Sequence, residues 1–183
     1  MGDDKWILYH TSRIEIPVPD IHYGRKNADF GQGFYLTPDY DFTYRWAWQD
    51  AIVNKYELDL KGLRVHSFSR TTEWFEYIFH NRKAEDTLDS DVVIGPIAND
   101  TIFDTLGIIS SGYLSSKEAL RLLMIGPEYT QVAVKTAIAV KQLKWVGSDK
   151  VTGVKEYQEL LKKEQDEYEK LFAATMEKIS EKR

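Results

Sequence analysis

Apolar and polar positions change their period several times along the chain, and each change marks an element. Residues 5–10 (KWILYH) read as a strand, and residues 14–28, with Pro17, Pro19 and Gly24, as a loop. Residues 33–36 read as a short strand. Thr37-Pro38-Asp39 then has the form of a helix start, with Thr37 as the N-cap and Pro38 in the first helical position, and predicts a helix to about Ala51. Residues 56–60 (YELDL) alternate with period two, as a half-buried strand does. Residues 63–68 are the expected hairpin partner, turning at Lys61-Gly62.

A second helix is expected from Thr71 to Asn81 or Arg82, and a buried apolar strand over residues 91–97 (DVVIGPI). Asn99 or Asp100 can cap a short helix through Leu106. Ser115-Ser116-Lys117-Glu118 has the spacing of a capping box for a helix to Met124. Residues 131–135 (QVAVK) read as a strand, Thr136 as the cap of a helix over 137–143, and residues 144–146 as a last strand. From Val154 the chain is rich in charge, with apolar residues at Val154, Tyr157, Leu161, Tyr168, Leu171 and Ile179. Most of these intervals are three or four residues, which predicts one long amphipathic helix. That helix either packs on its own domain or offers a face to a partner. The expected organisation is a domain over residues 1–150 and the helix over 151–183.

Composition narrows the picture. At 183 residues and 43% hydrophobic, the chain can bury one real core. No apolar run approaches the roughly 20 residues that span a bilayer. Residues 1–5 (MGDDK) lack the basic start and apolar stretch of a signal peptide. With no cysteine there are no disulfides, thiolate metal sites or cysteine nucleophiles, which fits a cytoplasmic protein. A net charge of −5 argues against non-specific affinity for nucleic acid. His10, His22, His66 and His80 have no metal-ligand spacing, and Ser110, Ser111, Ser115 and Ser116 have no nucleophile-elbow pattern. There is no glycine-rich phosphate loop. Trp46 and Trp74 sit at helix-face spacings and are expected in the core.

Two blocks carry the candidate chemistry: Leu8-Tyr9-His10-Thr11-Ser12 and Asp29-Phe30-Gly31-Gln32-Gly33-Phe34-Tyr35-Leu36-Thr37. Together with Trp46-Ala47, the Gly95-Pro96-Ile97-Ala98-Asn99-Asp100 block and Thr130-Gln131, they resemble a bacterial group of uncharacterised ADP-ribosyltransferase-like domains. That group is similar to the wider histidine–tyrosine–glutamate class, which includes diphtheria-type toxins and poly-ADP-ribose polymerases. The resemblance runs from about Leu8 to Val146. It implies an α+β fold, a split sandwich of two small antiparallel sheets with helices around it, and NAD in the cleft between them. It also implies nicotinamide loss from NAD with transfer of ADP-ribose to an acceptor, without a metal. A toxin-like effector with a neutralising antitoxin partner is a further implication of the family alone.

The resemblance assigns roles residue by residue. His10 matches the histidine that bonds the adenosine ribose. Thr11 matches the residue whose backbone holds the nicotinamide amide, a place usually filled by glycine, and Ser12 the small hydroxyl residue that follows. Tyr35 matches the tyrosine that stacks on nicotinamide, and an aromatic face suits a partly cationic ring. Gly31 and Gly33 would allow a tight approach and a bend before the strand. Asp29 would cap the glycine loop or orient a ribose hydroxyl. Gln131 stands where the class has its catalytic glutamate. Its amide oxygen can accept a ribose hydroxyl bond but brings no negative charge. Losing one such stabiliser costs on the order of 100- to 1000-fold in rate. Slow turnover is therefore expected unless Glu128, Asp100 or Asp29 enters the site. Tyr129, two residues before Gln131, lies at the place that helps choose the acceptor in relatives. Arg45 and Arg82 are candidates for the NAD diphosphate or for structural ion pairs. Hydrolysis of NAD by water, and NAD binding without catalysis, are the rival readings.

Overall fold

Strands Lys5–Ser12 (β1), Ile52–Asp59 (β3) and Leu143–Lys150 (β7) form one antiparallel sheet in the order β1-β3-β7. Strands Phe34–Leu36 (β2), Thr130–Val134 (β6), Val92–Pro96 (β5) and Val65–Ser67 (β4) form a second, in the order β2-β6-β5-β4. Its first two pairings are antiparallel and β4 joins β5 in parallel. The computed structural model describes residues 5–103, 105–109 and 111–182. The readings made above for residues 1–4 and Ser110 lie outside the described residues.

Period-two alternation explains how the sheets meet. Leu8, Tyr56 and Leu58 from the first sheet face Phe34, Leu36, Val92, Ile94, Val132 and Val134 from the second, and all are buried in one core. The alternate residues of the second sheet, Val93 and Ala133, face the other way. They pack with Tyr35 on Trp74, Phe75 and Ile78 of helix Thr72–Asn81 (α1), and on Ala119 and Leu123 of helix Ser116–Leu123 (α4). The second sheet is thus covered on both faces, and this inner position is what its near-continuous apolar strands require. Short helices Asn99–Ile102 (α2), Leu106–Ile109 (α3) and Ala137–Lys141 (α5) connect these elements. Helix Val154–Ser180 (α6) closes the chain, burying Tyr168, Phe172 and Ile179 against Phe103 and Leu122. The amphipathic pattern after Val154 is therefore spent mainly on the chain's own core.

Several expectations hold: the capping box at Ser115 and Glu118, the Thr136 cap, the helix opening at Thr71-Thr72, and the fully buried Trp74. Others need correction. Residues 37–51 form no α-helix, only a 3-10 segment, Asp41–Trp46. Thr37 Oγ1 accepts the Asp39 amide at 3.1 Å as a cap would, but it also donates to the Thr130 carbonyl at 2.9 Å, its backbone bridges Tyr9, and the 3-10 segment starts only at Asp41. Asp39 receives the Asp41 and Phe42 amides instead. Residues rich in aromatic and β-branched side chains have little helix propensity to resist this. Residues 63–68 are not a hairpin partner of β3, because Val65–Ser67 crosses to the other sheet beside β5. Asn99 and Asp100 cap nothing. Ala98 holds the N-cap position of α2, and both polar side chains are buried in other contacts. The short helix expected to end at Leu106 is two, α2 and α3. Among the described residues, no helix is long and apolar enough to cross a membrane.

Candidate functional site

The two sheets are stitched along one edge by reciprocal backbone bonds between Tyr9 and Thr37, at 2.8 and 3.0 Å. Beyond that bridge β1 and β2 diverge, and a cleft of about 810 Å³ opens between them. This is within the range of roughly 300–1,000 Å³ typical of small-molecule sites. Its walls include His10, Thr11, Asp29, Tyr35, Arg82 and Gln131. Residues that stand far apart in sequence therefore share one cavity.

His10 is the most defined of them. Its Nδ1 lies 2.7 Å from the Tyr35 carbonyl, which can only accept, so Nδ1 carries the proton. Nε2 is left as an acceptor. Burial pushes the His10 pKa below its ordinary value, against the smaller opposing pull of the Tyr35 carbonyl, so the neutral ring dominates at pH 7. The ring packs on Phe34, centroids 4.4 Å apart. Thr11 follows on the free edge of β1. Successive residues of a strand turn their N–H and C=O groups to opposite edges. Tyr9 spends its pair on Thr37, away from β3, so Thr11 directs its own pair the same way, into the cleft. Its branched side chain is drawn aside, the hydroxyl donating to the Thr43 carbonyl at 2.9 Å.

Tyr35 and Gln131 project from the same face of the second sheet, since Tyr35 pairs with Ala133 and Gln131 is two residues along. The Tyr35 hydroxyl donates to the Gly31 carbonyl at 2.6 Å and accepts from the Phe30 amide at 2.9 Å, so it locks the glycine loop. Burial raises its pKa far above the usual phenol range. Gln131 is buried; its Nε2 donates to the Pro96 carbonyl at 3.4 Å, which orients the side chain and leaves its amide oxygen to accept.

Ser12, Gly31 and Gly33 do not line the cleft. Ser12 donates to the Ile14 carbonyl and accepts from Asn54 at 3.0 Å. A Cβ on Gly33 would stand 2.8 Å from the Val134 carbonyl, so this glycine admits a neighbouring strand rather than a ligand. Gly31 has φ +78° and sits against Asp86 and Asn81, again a close approach within the protein.

Asp29 is buried at the cleft wall. Its carboxylate takes the Arg82 Nε at 3.0 Å and the Ala98 backbone N–H. Arg82 makes a paired contact with Asp100 at 2.7 and 2.8 Å. Burial raises the Asp29 pKa; Arg82 opposes this and Asp100 adds to it. Arg45 is likewise committed, to Glu164 of α6 and to the Tyr129 hydroxyl at 3.2 Å. Tyr129 itself donates to Glu164 at 2.9 Å and packs on Phe42. Glu128 pairs with Arg70 at 3.7 Å, and neither it nor Asp100 reaches the cleft wall.

The sequence reading missed Arg25, Asn27, Phe42 and Thr43 as wall residues, and put Trp46 in the core. Trp46 lines the cleft and is 52% exposed. Arg25, exposed at the lip, makes no ion pair among the described residues. Its place just before the Asp29 block was the one available signal. The described residues contain no group of side chains able to hold a metal ion.

A family match covers residues 6–145, and the family's description is "Protein of unknown function (DUF3990)". The chain belongs to this family. All the cleft residues fall within the matched span, whereas α6 lies beyond it. No curated protein and no solved structure matches the chain.

Proposed function

We propose that the cleft is an NAD site of the ADP-ribosyltransferase type and that the domain has that fold. The reading rests on one observation above all: His10, Thr11, Tyr35 and Gln131, which the resemblance links, line a single cavity. Their chemistry suits the ligand. The His10 Nε2 accepts a ribose hydroxyl bond. The Thr11 backbone edge offers an N–H and a C=O spaced to meet a carboxamide, whose donor and acceptor are complementary. The Tyr35 ring is held rigid by its own hydroxyl and forms a flat wall for nicotinamide. Arg25 at the lip supplies a cation for the diphosphate, a role Arg45 and Arg82 have spent on carboxylates.

The reaction on this reading breaks the bond between the ribose C1′ and the pyridinium nitrogen. Its electron pair leaves with neutral nicotinamide, and C1′ is taken by a nucleophile. A non-catalytic NAD-binding module is favoured by one observation, the uncharged Gln131 where the class has an acid. The test measures NAD binding by calorimetry and nicotinamide release in the presence of cell lysate. The expected result is binding that His10→Ala and Tyr35→Ala abolish and Tyr35→Phe largely keeps. NAD binding unaffected by His10→Ala and Tyr35→Ala would overturn the reading; binding without release selects the module.

A further inference from the structure

The Gly95–Asp100 block has an unusual division of labour. Gly95 pairs with Gln131 across β5 and β6. The Pro96 carbonyl accepts from Gln131, and also from the Trp74 indole at 3.0 Å. The Ile97 amide donates to the Tyr129 carbonyl at 2.8 Å. The Ala98 amide donates to Asp29. Asn99 donates to the Ile125 carbonyl and, at 3.1 Å, to the Pro127 carbonyl. Asp100 grips Arg82, which grips Asp29. One short segment thus contacts both Gln131 and Asp29, which line the same cavity.

Asp29 is the one acid on the cleft wall among the described residues. It is 8% exposed, and its surroundings hold two carboxylates against one guanidinium. Of the three groups, Asp29 and Arg82 line the cavity and Asp100 does not. A structural ion pair would be complete with Arg82 and Asp100 alone. Arg82 serves both acids, its Nε bonding Asp29 at 3.0 Å and its two terminal nitrogens bonding Asp100 at 2.7 and 2.8 Å.

We infer that Asp29 is the catalytic carboxylate of this cleft, supplying the charge that Gln131 lacks, with Arg82 and Asp100 as its positioning residues. The inference rests on the NAD reading above. As the C1′–nitrogen bond breaks and its electron pair leaves on nicotinamide, positive charge grows on the ribose, and Asp29 stabilises it electrostatically. The incoming nucleophile gives its lone pair to C1′ and its proton to the Asp29 carboxylate, which then returns the proton to water. Burial, by raising the Asp29 pKa, makes it a better proton acceptor than an ordinary aspartate.

The test compares wild type, Asp29→Asn and the double variant Asp29→Asn/Gln131→Glu, each checked for folding by thermal melting. Calorimetry reads NAD affinity and a discontinuous assay reads nicotinamide release. The expected result is NAD affinity within about threefold for all three, release reduced on the order of 100- to 1000-fold in Asp29→Asn, and at least tenfold recovery in the double variant. A purely structural Asp29 would not be rescued by a new acid at Gln131. Release by Asp29→Asn equal to wild type would overturn the inference and leave the NAD reading standing, as would wild type that binds NAD without releasing nicotinamide. Wild type that binds no NAD would overturn the NAD reading itself, and the inference with it.

Discussion

Two arginine–carboxylate centres sit at opposite ends of the second sheet, and they are built to opposite specifications. At one end Asp91 accepts the Arg64 backbone amide at 2.9 Å, the Arg64 guanidinium at 3.0 and 3.1 Å and the Thr136 hydroxyl at 2.8 Å. These bonds, led by that to the Arg64 side chain, hold its carboxyl well below the usual carboxylate range. Every donor serves the ionised form, and the result joins the start of β4 to the cap of α5. At the other end Arg82 is divided between Asp29 and Asp100, and burial drives the Asp29 pKa up. The chemical groups are the same. The first centre is what a fold does with an ion pair for its own sake. The second holds a carboxylate at a cost, beside a cavity, and proteins keep such arrangements mainly where a ligand or reaction uses them.

The largest effect that could break this contrast is removal of the shared cation. Arg82→Met leaves two buried carboxylates without a counter-charge and should cost about 3–5 kcal/mol in urea unfolding. A cost below about 1 kcal/mol would mean that the cluster is not held by charge. Next come the two aspartates, whose amide variants should move stability in opposite directions. Asp29 has a raised folded pKa, so its contribution is complete below the unfolded pKa of about 3.9 and is lost as pH rises through the folded value. Asp29→Asn escapes that loss, and its melting temperature should exceed wild type by a margin that widens from pH 4 to pH 8. Asp91 has a depressed folded pKa, so its contribution is present above about pH 4 and is lost as pH falls through the folded value. Asp91→Asn should melt below wild type by a steady margin from pH 8 to pH 5, shrinking only in stronger acid. Thermal melts over that range check both, and parallel pH behaviour would erase the distinction.

A smaller effect concerns His10. Its pKa is lowered by burial, so the acceptor Nε2 persists below the ordinary histidine value of about 6.5. NAD affinity should stay level from pH 8 to about pH 6.5 and weaken only in more acid solution, as calorimetry at several pH values would record. An affinity that already falls between pH 8 and pH 7 would rule out the neutral-acceptor role. The smallest effect is at Glu164, where Glu164→Gln keeps the reach to Arg45 and Tyr129 but removes the charge. It should cost about 1 kcal/mol, the upper end for exposed pairs, since the pair is only partly shielded.

Much of the scaffold is legible in the sequence. Alternation found the strands because burial on one face is a local demand, and the caps at Ser115 and Thr136 were legible because a cap is complete within four residues. The failures are long-range. Nothing local says that residues 65–67 leave β3 for β5, or that Thr37 prefers Tyr9 and Thr130 to a helix that would start with it. Within the site, His10, Tyr35 and Gln131 could be picked out from their motifs. Asp29 was one of three candidate acids there, and nothing local could choose among them, because its partners Arg82, Ala98 and Asp100 are distant in sequence and meet it only in the fold. Asn99 and Asp100 misled for the same reason, since a polar pair before a helix looks the same whether it caps or is buried.

The family match ends at residue 145, but the Arg45–Glu164 pair does not respect that boundary. Arg45 belongs to the 3-10 segment that supplies Phe42, Thr43 and Trp46 to the cleft, and Tyr44 of the same segment stacks on Tyr157 at 3.8 Å. A chain trimmed to the family limits would lose more than half of β7, uncover Phe103 and Leu122, and leave a nearly buried arginine without its acid. The matched span and the packed unit of this structure are therefore different lengths of the chain. Inactivity of the shorter piece would report on its folding rather than on its chemistry.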